Sequence, residues 1–217
     1  MNGIDKLYVV FGMIGAICFL IGDVLLGWVD PGTVDKRTHS YITEGHGKGY
    51  SRSKIAVTMT LAAIGIPFLY LGMVHCGDIA TEEVWADWID LSFALTSIAW
   101  MCMHAVVSFN VFTYSWIAAN VSKEKAIEAS QETKKTFSLM MIIVDLIGLA
   151  AFMILIVALA KGKTILPKYY IAFSPLVGAC TAALIEKLVP KSKLRKTIGT
   201  IQLNVGLLIW FISLLFV

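Results

Sequence analysis

Charge is what this 217-residue chain has least of: Asp, Glu, Lys and Arg make up 15% of it, against about 25% in an ordinary globular domain. Apolar residues make up 58%, and the mean hydropathy is +0.77. A small soluble domain leaves much of its surface in water and cannot hide so much apolar area. A soluble enzyme, a soluble nucleic-acid-binding protein and a disordered chain are thereby excluded. Cysteine is also sparse. Cys18, Cys76, Cys102 and Cys180 fall in separate apolar stretches with no C-x-x-C pair. That excludes a disulfide framework and leaves them as small hydrophobes.

Recognisable catalytic and cofactor motifs are missing too. There is no G-x-S-x-G, H-E-x-x-H, H-x-x-x-H or paired-aspartate phosphotransfer signature, and no G-x-x-x-x-G-K-[ST] phosphate loop. No metal and no other cofactor is therefore expected.

What the chain does have is long apolar runs. Crossing a bilayer takes about 20 such residues per helix, and six stretches qualify: Leu7–Val29, Ile55–Gly77, Leu91–Ala119, Phe137–Ala160, Tyr169–Val189 and Ile198–Val217. The runs are continuous, not alternating, which disfavours a membrane barrel. The expected fold is all-α: one domain over residues 1–217, a compact bundle of six transmembrane helices in the cell membrane. The first stretch is too long, and lacks the small-residue cleavage site, to be a cleaved signal peptide.

All 18 basic residues lie in loops or at span edges. Lys36, Arg37, Lys48, Arg52 and Lys54 fall in the first loop, Lys123, Lys125, Lys134 and Lys135 in the third, and Lys187, Lys191, Lys193, Arg195 and Lys196 in the fifth. The opposite side has only Lys6, Lys161, Lys163 and Lys168. Short loops rich in Lys and Arg stay cytoplasmic, so both termini are expected outside. The third loop is rich in good helix formers and is expected to extend the fourth helix. The basic face also suits anionic membrane lipids, the expected surroundings.

Ionisable groups inside membrane helices are costly and face the bundle or a wet cavity. Asp23, His104, Asp145 and Glu186 are the candidates, with Asn110, Gln202 and Asn204 as neutral companions and His75 nearer the outside. A mid-membrane carboxylate needs a partner or a proton. No mid-span lysine or arginine is available, which leaves His104, Asn110 and Asn204 for Asp23 and Asp145. Most of these residues fall in the cytoplasmic half of the expected spans. The inference is a pocket open to the cytoplasm with His104 at its floor. Ser97, His104, Ser108 and Ser115 share one helical face by their 7-4-7 spacing, and Gly199, Gln202 and Gly206 share another. Such faces also serve ordinary helix packing.

The longest polar loop contains Gly45-His-Gly-Lys-Gly49, whose backbone could approach an anion, with Lys48 as a substrate-binding candidate. His39 and His46 lack zinc spacing. Splitting the chain after the third span gives two halves of opposite orientation, with Pro67 and Pro175 in their middle helices. Matched breaks of this kind mark transporter sites, although these two lie at different depths.

By its size and by Gly22-Asp-Val-Leu-Leu-Gly27 at the end of the first span, the chain resembles small bacterial six-span integral membrane proteins of unknown function. That resemblance implies no activity and no site. Three functions stay open. The first is binding or transport of a small or amphiphilic solute in a pocket lined by Asp23, His104, Asn110, Asp145, Asn204, Glu186 and Lys48. The second is a membrane-embedded enzyme on a lipid-like substrate, with Asp145, His104 and Asp23 as catalytic groups. The third is an assembly subunit without chemistry. A small-molecule or lipid ligand is expected, nucleic acid is not, and an oligomer is open.

Overall fold

A computed structural model describes residues 5–28 and 51–217. Among them the chain is helical without strands: α1 (Lys6–Gly27), α2 (Arg52–Met73), α3 (Glu83–Asn120), α4 (Lys123–Ala160), α5 (Pro175–Leu188) and α6 (Lys193–Leu214). Short 3-10 turns at Cys76–Ile79 and Lys168–Phe173 precede α3 and α5. Side chains cap four of the helix starts. Asp5, Ser51, Ser122 and Ser192 each accept from a backbone N–H one turn in, satisfying donors that a helix start otherwise leaves unpaired. The Ser122 cap starts α4 at Lys123, so the third loop is helical as expected.

Five helices, all but α5, are long and apolar enough to cross a membrane. The fifth expected stretch does not form one continuous helix. Ser174 is extended, and Pro175 opens α5 at its first position. A proline there has no N–H to lose, whereas further in it would clash with the preceding turn. What remains is a 14-residue helix of about 21 Å, below the ~30 Å of a hydrocarbon core. Pro67, by contrast, lies inside an uninterrupted α2. The tail of the expected second span becomes the Cys76–Ile79 turn, and Glu83, Asp87 and Asp90 after it fall in the first turns of α3.

α1 packs along α2 and α6, α5 along α6, and α3 along α4. Successive helices alternate in direction. The start of α1 meets the end of α6, where Lys6 Nζ donates to the Leu215 carbonyl at 3.3 Å, and meets the end of α2, where Tyr8 stacks on His75 with ring centroids 3.4 Å apart. At this terminal end Ile79, Ile89, Phe93, Leu159, Trp210 and Phe211 form a fully buried core. Two turns are stitched together beneath it. Thr81 N–H donates to Lys163 O, Ile165 N–H donates to Ile79 O, and Lys163 pairs with Glu82 at 2.6 Å.

Close helix approach depends on glycine at two places. A Cβ on Gly72 would strike the Gly12 backbone, and one on Gly206 would strike the Pro175 carbonyl and sit 2.9 Å from Ala179 N. Small residues of this kind let membrane helices pack backbone to backbone.

The outer faces carry large apolar side chains. Phe109, Leu139 and Leu184 are each more than 60% exposed.

Candidate functional site

α3 packs on the rest of the bundle toward both of its ends. Near the terminal end Phe93 enters the main core; near the opposite end Val111 packs on Ile55 of α2 and Leu26 of α1. Between those contacts α1, α2, α3 and α6 enclose a cavity of about 270 Å³. Its lining is mostly apolar and aromatic, with Phe19, Tyr70 and Trp100 among the walls and Asp23, His104, Gln202 and Asn204 as polar groups. Tyr70 and Met101, both partly open to the outside of the helices, stand at its edge.

The polar groups are tied into a short network. Asn204 Nδ2 donates to Asp23 Oδ2 at 2.7 Å, joining α6 to α1. Two residues earlier on α6, Gln202 Nε2 donates to Glu186 Oε2 at 2.8 Å. Glu186 in turn lies 3.6 Å from the Arg195 guanidinium. Glu186 packs against Gly199, where an added Cβ would make ordinary van der Waals contact with the carboxylate. Thr200 Oγ1 shares its one proton between the Thr197 carbonyl at 2.8 Å and the Asp23 carbonyl at 3.3 Å, a weaker second strap. His104 stands edge-on to Phe19, with ring centroids 4.7 Å apart. Hydrogen bonds to a carboxylate contribute about 1.5–3 kcal/mol each when the group is ionised, so Asn204 both orients and stabilises Asp23.

Of the residues singled out from the sequence, the structure brings Asp23, His104 and Asn204 to one cavity and sets Glu186 behind Gln202 at its wall. Two others go elsewhere. Asn110 is buried between α3 and α4, donating to Ser130 Oγ at 3.3 Å. Asp145 is exposed on the outer face of α4, beside Ile142 and Leu149. The reason is azimuth. Gly148, one turn on, is the residue that faces Trp100, and Asp145 is rotated off that contact. Lys48 and the Gly45–Gly49 loop lie outside the described residues.

Leu26, Ile55 and Val111 pack together toward the end that bears the Ser51 cap. Among the described residues no cluster of His, Cys, Asp and Glu could hold a metal ion.

Gln202, Tyr70 and Trp100 are cavity residues that no site assignment from sequence included. Gln202 had a legible signal in its alignment with Gly199 and Gly206. The aromatic walls had none, because within an apolar run a wall residue reads the same as a core residue.

Apolar helices of membrane-crossing length, four of them around a largely apolar cavity with a few polar groups, define the class of this protein: a helical bundle with an internal cavity. The chain belongs to a family of unknown function (DUF6796), whose model matches residues 1–217. No curated protein and no solved structure matches it.

Proposed function

We propose that this chain is a multi-pass protein of the cell membrane that binds, for transport, a small or amphiphilic solute in the cavity between α3 and α1, α2 and α6. The observation that carries this reading is the cavity's composition: polar groups held on one wall, aromatic and apolar side chains on the others, and an edge reached from the exposed faces of the helices. Ligand sites are built this way, from an apolar lining with a few fixed polar groups. An amphiphile entering from the bilayer meets Tyr70 and Met101 first and the Asp23–Asn204 pair deeper in.

Membrane insertion is supported by the five apolar helices and by the large apolar side chains on their outer faces. The meeting of Lys6 with Leu215 favours an even number of crossings, since both ends then share a side. The 3-10 turn at Lys168–Phe173 and α5 supply the sixth as a broken crossing. At about 2.0 Å per residue for the first and 1.5 Å for the second, the two cover about 33 Å if laid end to end. The basic loops then orient both termini outward.

A dodecanol derivative carrying a dansyl group at its tail provides the test. Titrated against protein purified in dodecyl maltoside, it is expected to bind saturably at one site per chain. Ser97→Phe, which places a ring in the cavity, is expected to abolish that binding while leaving the melting temperature near wild type. Saturable binding that Ser97→Phe leaves intact would place the ligand elsewhere.

Asp145 provides a contrast. Sites without shared partners act independently, so Asp145→Asn is expected to leave the probe's affinity within about twofold of wild type. A larger loss would return Asp145 to the ligand site.

A further inference from the structure

The polar wall of the cavity centres on the Asp23 carboxyl group, and the hydroxyls beside it are already committed. Ser97 Oγ donates to the Phe93 carbonyl at 2.9 Å, and Thr200 Oγ1 to the Thr197 carbonyl at 2.8 Å. Asn204 gives an N–H to Asp23, and Gln202 gives one to Glu186. Each of those amides keeps its carbonyl oxygen and one N–H, His104 adds a donor and an acceptor nitrogen when neutral, and the Asp23 carboxyl group adds the one acidic acceptor of the lining. The lining contains no lysine or arginine among the described residues. Three aromatic walls, Phe19, Tyr70 and Trp100, complete it.

One carboxyl group, aromatic faces and no lysine or arginine favour a ligand head that donates and carries positive charge. A phosphate, sulfate or carboxylate head would meet the carboxylate with no cation to offset it. A protonated primary amine brings three N–H donors and a positive charge that aromatic faces also attract. Resting on the binding reading above, we propose that the cavity takes an amphiphile whose head is a protonated primary amine. The cavity's ~270 Å³ falls just under the range of drug-sized ligand sites, about 300–1,000 Å³. It therefore holds the head and the first part of the chain, and the tail leaves past Tyr70 and Met101. The amine is carried either by a soluble long-chain amine or by an ethanolamine lipid.

Displacement of the dansyl probe by dodecylamine, dodecanol and lysophosphatidylethanolamine at pH 7 tests this. Dodecylamine is expected to displace the probe at a concentration at least about tenfold below dodecanol's, a difference of about 1.4 kcal/mol. In Asp23→Asn that advantage is expected to vanish, and in Asp23→Glu to persist. Strong displacement by lysophosphatidylethanolamine assigns the amine to a lipid; displacement by dodecylamine alone assigns it to a soluble amine. Either upholds the proposal. Equal displacement by dodecylamine and dodecanol in wild type overturns it and leaves the binding site standing, a comparison that holds even if Asp23→Asn fails to fold. Absence of saturable probe binding overturns both.

Discussion

Gly206→Leu is expected to leave little folded protein. A Cβ at this position would occupy the space of the Pro175 carbonyl and crowd Ala179 N, both backbone atoms of α5 that no rotamer change can move aside. Across the same contact, a Cβ on Gly178 would lie 2.6 Å from Gly206 Cα. Leucine therefore has to push α5 off α6, and α6 is the helix α5 chiefly packs against. Overpacking a well-packed interior costs about 1–3 kcal/mol where side chains can yield, and here the obstruction is main chain, so the cost is expected above that range. Displacing α5 also pulls Glu186 from Gln202 and disturbs the cavity wall. The comparison is Gly162→Ala. Gly162 has φ +67° and no atom within 4 Å of a Cβ, so only backbone strain of about 1–2 kcal/mol is added. Thermal unfolding followed by circular dichroism in detergent is expected to show a modest shift for Gly162→Ala. Gly206→Leu is expected to show no cooperative transition.

Removing the Asp23–Asn204 hydrogen bond is expected to cost ligand binding far more than the exposed Asp145 can. Asn204→Leu deletes the donor that orients the carboxyl group and leaves that group unpartnered by α6, at about 1–3 kcal/mol for an unsatisfied buried polar group. Asp23→Asn keeps the shape and removes the charge. Each is expected to weaken probe binding by at least about tenfold, equivalent to about 1.4 kcal/mol. Together they are expected to cost less than the sum of the two, because residues in one hydrogen-bonded pair couple by about 0.5–3 kcal/mol. A double-mutant cycle on the dansyl-probe affinity measures that coupling. Additivity would mean that the pair does not act as one unit at the site.

Much of this arrangement is legible in the residues themselves. Apolar run length locates five of the helices, and Asn204 is among the few polar side chains available to Asp23. The seven-residue spacing of Ser97 and His104 puts both on one face of α3, and both line the cavity. The misses have physical causes. Hydropathy counts residues and does not register that Pro175 restarts the backbone, so the fifth stretch reads as one helix. Depth along a helix says nothing of azimuth, so Asp145 at mid-span reads like Asp23 although it points away from the bundle. Asn110 and Ser130 are twenty residues apart, and only the α3–α4 hairpin brings them together. The contact of Leu26, Ile55 and Val111 joins three helices and leaves no local pattern to read.

Site mapping tests the central claim, that an amphiphile is held between α3 and α6 at the Asp23–Asn204 pair, most directly. A dodecylamine bearing a diazirine near its head is photolysed with the purified protein, and the attachment sites are read by peptide mass spectrometry. Labelling that excess unlabelled dodecylamine suppresses is expected in the Trp100–His104 and Thr200–Asn204 segments. Suppressible labelling confined to the Ile142–Leu149 face of α4, with none on α3 or α6, would contradict the account.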